Sequence, residues 1–243
     1  MNKNKTKSKE NGVISIVNQN DFQLVESYKA LRTNIMFSMP AMDLSGARKI
    51  LVTSAGPGEG KSTTSVNLAI SLAEAGQRVL LMDADLRKPT VHRYFGLDSR
   101  KGLSNLISGM SKREECLHTV SEVPGLTVLP SGVLSPNPSE LLCSTAMEKL
   151  LADFSQNYDY VLIDMPPVNV VADALSLVKQ VDGVVFVASY GKTRMPDLYR
   201  AVDALRFAKA HILGIVMNRM PNPKKNGYGG NYHYYGSYQS TNL

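Results

Sequence analysis

Apolar residues along this chain fall into short uninterrupted runs rather than into an alternating pattern. These runs predict six β-strands, near residues 49–54, 78–82, 126–130, 160–164, 183–189 and 212–218. Longer helical stretches such as 61–75 and 138–154 separate the strands. Strands without an internal alternation of apolar and polar residues are typical of a sheet that is covered on both faces. The pattern therefore predicts an α/β fold with a mostly parallel sheet flanked by helices.

A helical pattern precedes the first of these strands. Between residues 21 and 39, apolar side chains recur at helical spacing, namely Phe22, Val25, Tyr28, Leu31, Ile35 and Met39. Asp21 fits the N-cap position, and Pro40 follows the end. We predict an amphipathic helix ahead of the main domain.

The two ends of the chain lack regular patterns. Residues 1–20 are polar and aperiodic, and residues 221–243 are interrupted by glycines. We predict a basic disordered tail over 1–20, one domain over 21–220 and a flexible tail over 221–243. Five of the eleven tyrosines lie in the last 16 residues, at Tyr228, Tyr232, Tyr234, Tyr235 and Tyr238.

Composition excludes several classes of protein. The 243 residues suit one domain with tails, and the longest apolar run, 183–188, is too short to span a bilayer. The N-terminal lysines are not followed by an apolar signal region, so we expect a cytoplasmic protein. Cys116 and Cys143 have no metal-ligand spacing and are interpreted as reduced thiols that either pack or have no role.

The net charge of +6 is partly a property of the N-terminal tail. Four lysines and one glutamate within the first ten residues contribute +3 of it. Such a run is more often a solvated tail than a binding site. We therefore expect no nucleic-acid partner.

A glycine-rich loop follows the first predicted strand and leads into a helix. The segment reads "AGPGEGKST" over residues 55–63, which is typical of a P-loop. Backbone N–H groups can surround phosphate oxygens, Lys61 can neutralise the β- and γ-phosphates, and Ser62 can offer its hydroxyl to Mg²⁺. We predict that the nucleotide is bound by Gly58, Glu59, Gly60, Lys61, Ser62 and Thr63. Ala55 departs from the usual first glycine; a glycine-rich turn that binds nothing is the disfavoured alternative.

Aspartates follow two of the predicted strands. Asp83 and Asp85 are spaced to lie on one side of an extended chain, and Asp164 ends a later strand. Acids at the carboxyl ends of parallel strands converge on the ligand and need a cation beside phosphates. We predict that Ser62, Asp85 and Asp164 hold Mg²⁺ and that Asp83 aligns or deprotonates the attacking group. For any one of these acids alone, a helix N-cap is the alternative.

The aspartates lie in a D-x-D-x-R pattern, "DADLR", that resembles the Walker A′ motif of MinD/ParA-related P-loop proteins and in particular of the bacterial tyrosine kinases. Gly56 stands where MinD- and ParA-like ATPases carry a signature lysine, and "PGEGKST", "DADLRKP" and "SPNPSELL" (135–142) are similar to segments of the kinases. The resemblance covers the chain from Asp21 onward. It implies an ATP- and Mg²⁺-dependent tyrosine kinase in which Lys61 and Arg87 stabilise the transferred phosphoryl group.

The same resemblance implies assembly and partners. Glu26, Lys29 and Arg32 occupy the charged positions of an E-x-x-R-x-x-R segment that packs subunits into a ring, although Lys29 replaces an arginine. The tail tyrosines would be phosphorylated between subunits. A membrane-anchored adaptor of the polysaccharide co-polymerase type would activate the kinase at the inner face of the membrane. A phosphotyrosine phosphatase would oppose the kinase, and the pathway would be capsule or exopolysaccharide synthesis.

Three further interpretations stay open. Asn218 and Arg219 end the last predicted strand, where relatives read the nucleotide base, but a strand-end asparagine is equally a turn residue. A MinD/ParA-like ATPase switch that dimerises on a membrane or DNA is the alternative function. The tail is alternatively a sticky disordered terminus or, with Lys224 and Lys225, a stacking platform for single-stranded nucleic acid.

Overall fold

A seven-stranded sheet forms the centre of the computed structural model, which describes residues 22–39 and 46–221. The strand order is β3-β4-β2-β5-β1-β6-β7. Only β3 runs antiparallel to its neighbour; the other described pairs are parallel. The strands are β1 (Arg48–Ser54), β2 (Val79–Asp83), β3 (His118–Thr119), β4 (Leu126–Leu129), β5 (Tyr160–Asp164), β6 (Gly183–Ser189) and β7 (Ile212–Asn218). The predicted tails and their five tyrosines lie outside the described residues.

Helices cover both faces of this sheet. They are α1 (Phe22–Ser38), α2 (Lys61–Glu74), α3 (Val91–Tyr94), α4 (Leu103–Ile107), α5 (Arg113–Cys116), α6 (Pro138–Leu142), α7 (Thr145–Asn157), α8 (Asp173–Ser176) and α9 (Met195–Phe207). One apolar core includes residues of α7 and α9, and a second includes residues of α1 and α2. Strands β2, β5 and β6 are buried along their whole length, which explains their uninterrupted apolar sequences. The predicted α/β fold is confirmed.

Three local features differ from the sequence-based prediction. The stretch 138–154 is two helices rather than one, because Ser144 caps α7 by accepting the Met147 N–H at 3.2 Å. Strand β3 was not predicted, since its two residues are too few for a pattern. Along the predicted helix 21–39, only the C-terminal part of the apolar stripe is buried: Ile35 of α1 and Met39, just after its end, are inside, whereas Phe22 is 60% exposed.

Helix α1 is attached to α2 by the third charged residue of the predicted oligomerisation segment. Arg32 Nη1 donates to the Ser71 carbonyl oxygen at 2.6 Å. Lys29 instead forms an exposed pair with Glu26, at 2.8 Å. Arg32 therefore anchors the helix within its own chain, while the other two charged residues face solvent.

The parallel strands bring their carboxyl ends to one edge of the sheet. In the register between β2 and β5, Asp83 lies opposite Asp164. The loop of residues 55–60 after β1 lies at the same edge, because β1 pairs with β5 and ends beside it. This edge therefore collects the residues that the sequence singled out. No helix within 22–39 or 46–221 is long and apolar enough to cross a membrane.

Candidate active site

The loop between β1 and α2 is a tight, internally bonded turn. Gly58 and Gly60 adopt left-handed backbone conformations, with φ of +70° and +100°, which glycine adopts at little cost. The buried Glu59 carboxylate accepts the Gly56 N–H at 3.0 Å and the Thr193 hydroxyl at 2.7 Å. Glu59, predicted as a nucleotide ligand, therefore directs its carboxylate into the protein and shapes the loop.

Two side chains from neighbouring segments, one at the end of β7 and one in the turn after β6, brace the same turn. Asn218 Nδ2 donates to the Glu59 carbonyl oxygen at 3.1 Å, and Lys192 Nζ donates to the Pro57 carbonyl oxygen at 2.7 Å. The Asn218 Oδ1 accepts the Arg219 N–H at 2.8 Å. The structure thus places Asn218 against the P-loop, and base reading by Asn218 and Arg219 stays a prediction.

Lys61 stands at the centre of the site, where α2 begins. Its Nζ lies 3.0 Å from Asp85 Oδ2 and 3.6 Å from Asp164 Oδ2. Burial lowers the pKa of Lys61, but the charges of Asp164 and Asp85 outweigh burial and raise the pKa overall. The ammonium is therefore fully charged at neutral pH, and phosphate oxygens could replace these carboxylates as its partners.

Asp164 is fully buried beneath the first turn of α2. Its two oxygens accept the Ser62 hydroxyl at 2.6 Å and the Ser65 hydroxyl at 3.0 Å. Burial raises the pKa of Asp164 even though Lys61 and the two hydroxyls oppose that shift. The structure thus brings Ser62, Asp85 and Asp164, the predicted metal ligands, around one lysine.

Asp83 makes different contacts from Asp85, contrary to the expectation that both face the ligand. The chain leaves the extended conformation after Asp83, and Asp83 Oδ2 accepts the N–H groups of Thr90 and Val91 at 3.0 and 2.9 Å. Its Oδ1 accepts the Asp85 N–H at 3.2 Å. Burial and then the charge of Asp164 raise the pKa of Asp83 to about 7. Asp83 therefore organises the loop that carries Asp85.

Arg87, predicted to stabilise the transferred group, is engaged elsewhere. Its Nε donates to Asp173 Oδ2 at 2.7 Å and its Nη2 to Asp173 Oδ1 at 3.2 Å. Ser139 donates to the same Oδ1. The guanidinium charge is thus paired with a carboxylate of α8 rather than directed towards Lys61.

The donor set fits Mg²⁺ in the presence of phosphates. Burial raises the pKa values of Asp83 and Asp164 even though the charge of Lys61 opposes the rise, so a further cation beside them would be favourable. Within 22–39 and 46–221, no group of three or more His, Cys, Asp or Glu side chains is arranged to hold a metal by itself. Mg²⁺ commonly uses one or two carboxylates plus substrate phosphates, so Asp85, Asp164 and Ser62 suffice.

The buried aspartates predict how the stability of the nucleotide-free protein depends on pH. Because the pKa of Asp83 rises to about 7 on folding, the folded chain binds more protons than the unfolded chain between roughly pH 4 and 7. The contribution of Asp83 to the free energy of unfolding should fall by roughly 2 kcal/mol between pH 5 and 7. Urea titrations across this range would measure it.

His92 acts in the opposite direction and serves as the control. Burial lowers the pKa of His92, so its contribution to stability increases as the pH rises towards about 6.5. The titrations are therefore repeated in a His92→Gln variant, in which the decline should be steeper. Stability that rises with pH in this variant would contradict the burial of uncompensated carboxyls.

Several residues of the site were not predicted from the sequence. Ser65 contacts Asp164, Thr193 contacts Glu59, and Asp173 pairs with Arg87. The position of Ser65, one helical turn after Lys61, could have indicated its role, since both would lie on one face of α2. Thr193 and Asp173 come from distant segments of the chain, so only the structure shows that they belong to the site.

Comparisons with known proteins agree with this geometry. The family model described as "ParA: NUBPL iron-transfer P-loop NTPase" matches residues 46–241. The tyrosine-protein kinase YwqD of Bacillus subtilis (strain 168) is 42% identical over 212 residues, covering 87% of this chain and 86% of that protein. Iron transfer belongs to the description of that family model and is not assigned to this chain. The two cysteines, Cys116 and Cys143, are far apart in the sequence and do not form a metal-binding motif.

Solved structures give the same assignment. The chimerical protein CapA2B2 matches with a TM-score of 0.80 and 37% identity, over 84% of this chain and 88% of that chain. The kinase domain of the Escherichia coli tyrosine kinase ETK matches with a TM-score of 0.79 and 29% identity, over 93% and 89%. Together with the P-loop and the D-x-D-x-R aspartates, these matches show that the chain belongs to the bacterial tyrosine kinases, a branch of the ParA-like P-loop NTPases.

Proposed function

We propose that this tyrosine kinase transfers the γ-phosphate of ATP to tyrosines in the C-terminal segment of a neighbouring subunit. The observation that carries the proposal is the buried Lys61 ammonium, which lies 3.0 Å from Asp85 and 3.6 Å from Asp164 at the end of a P-loop. This arrangement offers one positive charge and two oxygen ligands to a phosphoryl group that enters the loop.

Each group has a defined task in this scheme. The N–H groups of Gly58, Gly60 and the start of α2 bind phosphate oxygens, and Lys61 stabilises the charge that spreads over the transferred group. Ser62, Asp85 and Asp164 would hold Mg²⁺, which when bound supplies charge neutralisation between the phosphates. Burial of these groups excludes water and strengthens their electrostatic effect.

The attacking phenol needs little help with its proton. Phosphoryl transfer passes through a loose transition state, so positioning contributes more than deprotonation. The pKa of Asp83, about 7, suits a proton acceptor, but its oxygens are occupied by backbone N–H groups. We therefore assign Asp83 to alignment and Asp85 to the place nearest the transferred group.

The acceptors are proposed to be Tyr228, Tyr232, Tyr234, Tyr235 and Tyr238. Their segment contains glycines and asparagines and no acidic residue, which suits an extended peptide that enters another subunit. Each phosphate would add about −1.5 to −2 charges. Accumulated phosphates would make the segment acidic and oppose association of the subunits.

Assembly and location are proposals supported by the family. The exposed Glu26 and Lys29 of α1 would contact a neighbouring subunit in a ring, while Arg32 holds α1 on α2. A membrane-anchored adaptor would recruit and activate the kinase at the inner face of the membrane. Control of polysaccharide synthesis and reversal by a phosphotyrosine phosphatase complete the proposal.

Mixing two variants tests transfer between subunits. Lys61→Met retains the tyrosines but lacks the phosphate-binding ammonium, and a variant with all five tail tyrosines changed to Phe retains the site. Each alone should gain no tail phosphate, whereas the mixture with ATP and Mg²⁺ should phosphorylate the Lys61→Met chain, as measured by mass spectrometry. Release of free phosphate with unmodified tyrosines in the wild-type protein would favour the ATPase switch instead.

A further inference from the structure

One buried carboxylate joins three segments beside the active site. Asp173, at the start of α8, is 1% exposed in its side chain and receives both donors of Arg87 in a bidentate pair. Ser139 of α6 donates to the same carboxylate. The loop after β2 is therefore tied through Arg87 to two short helices that follow β4 and β5.

At neutral pH, Asp173 and Arg87 form a pair of opposite charges. Burial raises the pKa of Asp173, but the hydrogen bonds from Arg87 and Ser139 outweigh it and lower the pKa overall. The carboxylate is thus ionised, and a bidentate arginine pair fixes orientation as well as distance. Neither Arg87 nor Asp173 is paired with Lys61, so the contact lies outside the phosphate-binding group itself.

Arg87 is linked to Asp85 by the backbone. The residue after Arg87, Lys88, donates its N–H to Asp85 Oδ1 at 3.0 Å. With Oδ1 held in this way, Asp85 directs Oδ2 to Lys61 at 3.0 Å. A change in the backbone that the Arg87–Asp173 pair anchors would displace the Lys88 N–H and release the carboxylate of Asp85.

We propose that Asp173 is a positioning residue of the kinase, which acts through Arg87 and the Lys88 N–H to fix the Asp85 carboxylate beside Lys61. This inference rests on the proposed role of Asp85 in phosphoryl transfer. It gives Arg87 a structural partner instead of a direct contact with phosphate. It also assigns a task to Ser139, which lies within the "SPNPSELL" segment.

The test compares Asp173→Asn, Arg87→Ala and the double variant. In Asp173→Asn, the amide would face the guanidinium with a donor group and break the bidentate pair. We expect kcat for ADP formation to fall by about 10- to 100-fold in each single variant, since small displacements of a reacting group have effects of that size. Affinity for ADP, measured with a fluorescent analogue, should change by less than about 3-fold because the P-loop is intact.

The kcat of the double variant distinguishes a positioning role of Asp173 from a role independent of Arg87. The double variant should be no slower than either single variant, because both remove the same contact. A normal kcat in Asp173→Asn beside a slow Arg87→Ala would overturn the proposal and indicate that Arg87 acts on phosphate directly. Reduced melting temperatures with unchanged kcat per folded molecule would overturn it as well.

Asp159→Asn is the matched control. Asp159 forms a similar two-point pair with Arg78, at 2.8 and 3.3 Å, but precedes β5 at the opposite edge of the sheet. This control should leave kcat unchanged. If Asp173→Asn does not fold, Ser139→Ala should lower kcat by about 3-fold and Ser139→Thr, which keeps the hydroxyl, should restore it; an unchanged kcat in Ser139→Ala would then refute the proposal.

Two readouts distinguish this inference from the proposed function. ADP formation reports the phosphoryl-transfer site whichever acceptor is used, and phosphotyrosine reports the tail. A wild-type protein that forms ADP without modifying its tail would contradict the proposed acceptor. The Asp173 comparison by ADP formation would still decide the positioning role.

Discussion

Replacing Lys61 with methionine is expected to lower tyrosine phosphorylation by at least ~100-fold, comparable with the removal of a preorganised charge-stabilising group in other enzymes. Lys61 supplies the ammonium that lies among Asp85, Asp164 and the P-loop. Methionine has a similar length but no charge, so the γ-phosphate would lose its cationic partner. Phosphotyrosine quantified by mass spectrometry after incubation with ATP and Mg²⁺ measures the effect.

The same substitution has a second consequence for the nucleotide-free protein. Without the ammonium, the buried Asp164 carboxylate would lose the charge that opposes the rise of its pKa, so this pKa would rise further. The variant should therefore lose more stability at pH 8 than at pH 6. Lys149→Met, at an exposed position of α7, is the matched control and should leave both phosphorylation and pH dependence unchanged. Wild-type phosphorylation in Lys61→Met would refute the assignment of the site.

Changing Gly60 to alanine is expected to weaken nucleotide binding by at least ~10-fold and to destabilise the protein by roughly 2–3 kcal/mol. Gly60 has a φ of +100°, and an added Cβ would lie 1.8 Å from Asn218 Nδ2. Alanine would therefore be strained and would also displace the side chain that braces the P-loop. Nucleotide titration and urea unfolding measure the two effects.

Gly76→Ala separates the backbone strain from the collision. Gly76 has a φ of +81°, but nothing lies within 4 Å of an added Cβ. This control should lose about 1–2 kcal/mol of stability through strain alone and should bind nucleotide normally. Combining Gly60→Ala with Asn218→Ala should recover part of the stability, because the obstructing amide is removed. Equal behaviour of Gly60→Ala and Gly76→Ala would show that the collision is unimportant.

The sequence predicted the site residues that directly follow a β-strand. Uninterrupted apolar runs indicate buried parallel strands, and the topology then brings the P-loop, Asp83 and Asp164 to one edge. For this reason the fold and the cluster of Lys61, Asp85 and Asp164 could be anticipated from residue patterns.

The remaining contacts could not be anticipated, because they depend on how loops turn. The expectation for Asp83 assumed an extended chain, whereas the backbone bends after it and uses its oxygens for N–H groups. Arg87 has a long side chain, and only the position of α8 shows that Asp173 receives it. Glu59 lies within the P-loop and was therefore predicted as a nucleotide ligand. Its carboxylate instead accepts hydrogen bonds from Thr193 and Gly56.

The active site can form only when β2 and β5 pair in their native register. Asp83 lies opposite Asp164 only when these strands, far apart in the sequence, are paired in the native alignment. A shift by one residue would reverse which face of the sheet each side chain occupies and would separate the acids from Lys61. Nucleotide would then bind selectively to chains whose sheet is already aligned, and cellular ATP would thereby favour the native form over misaligned ones.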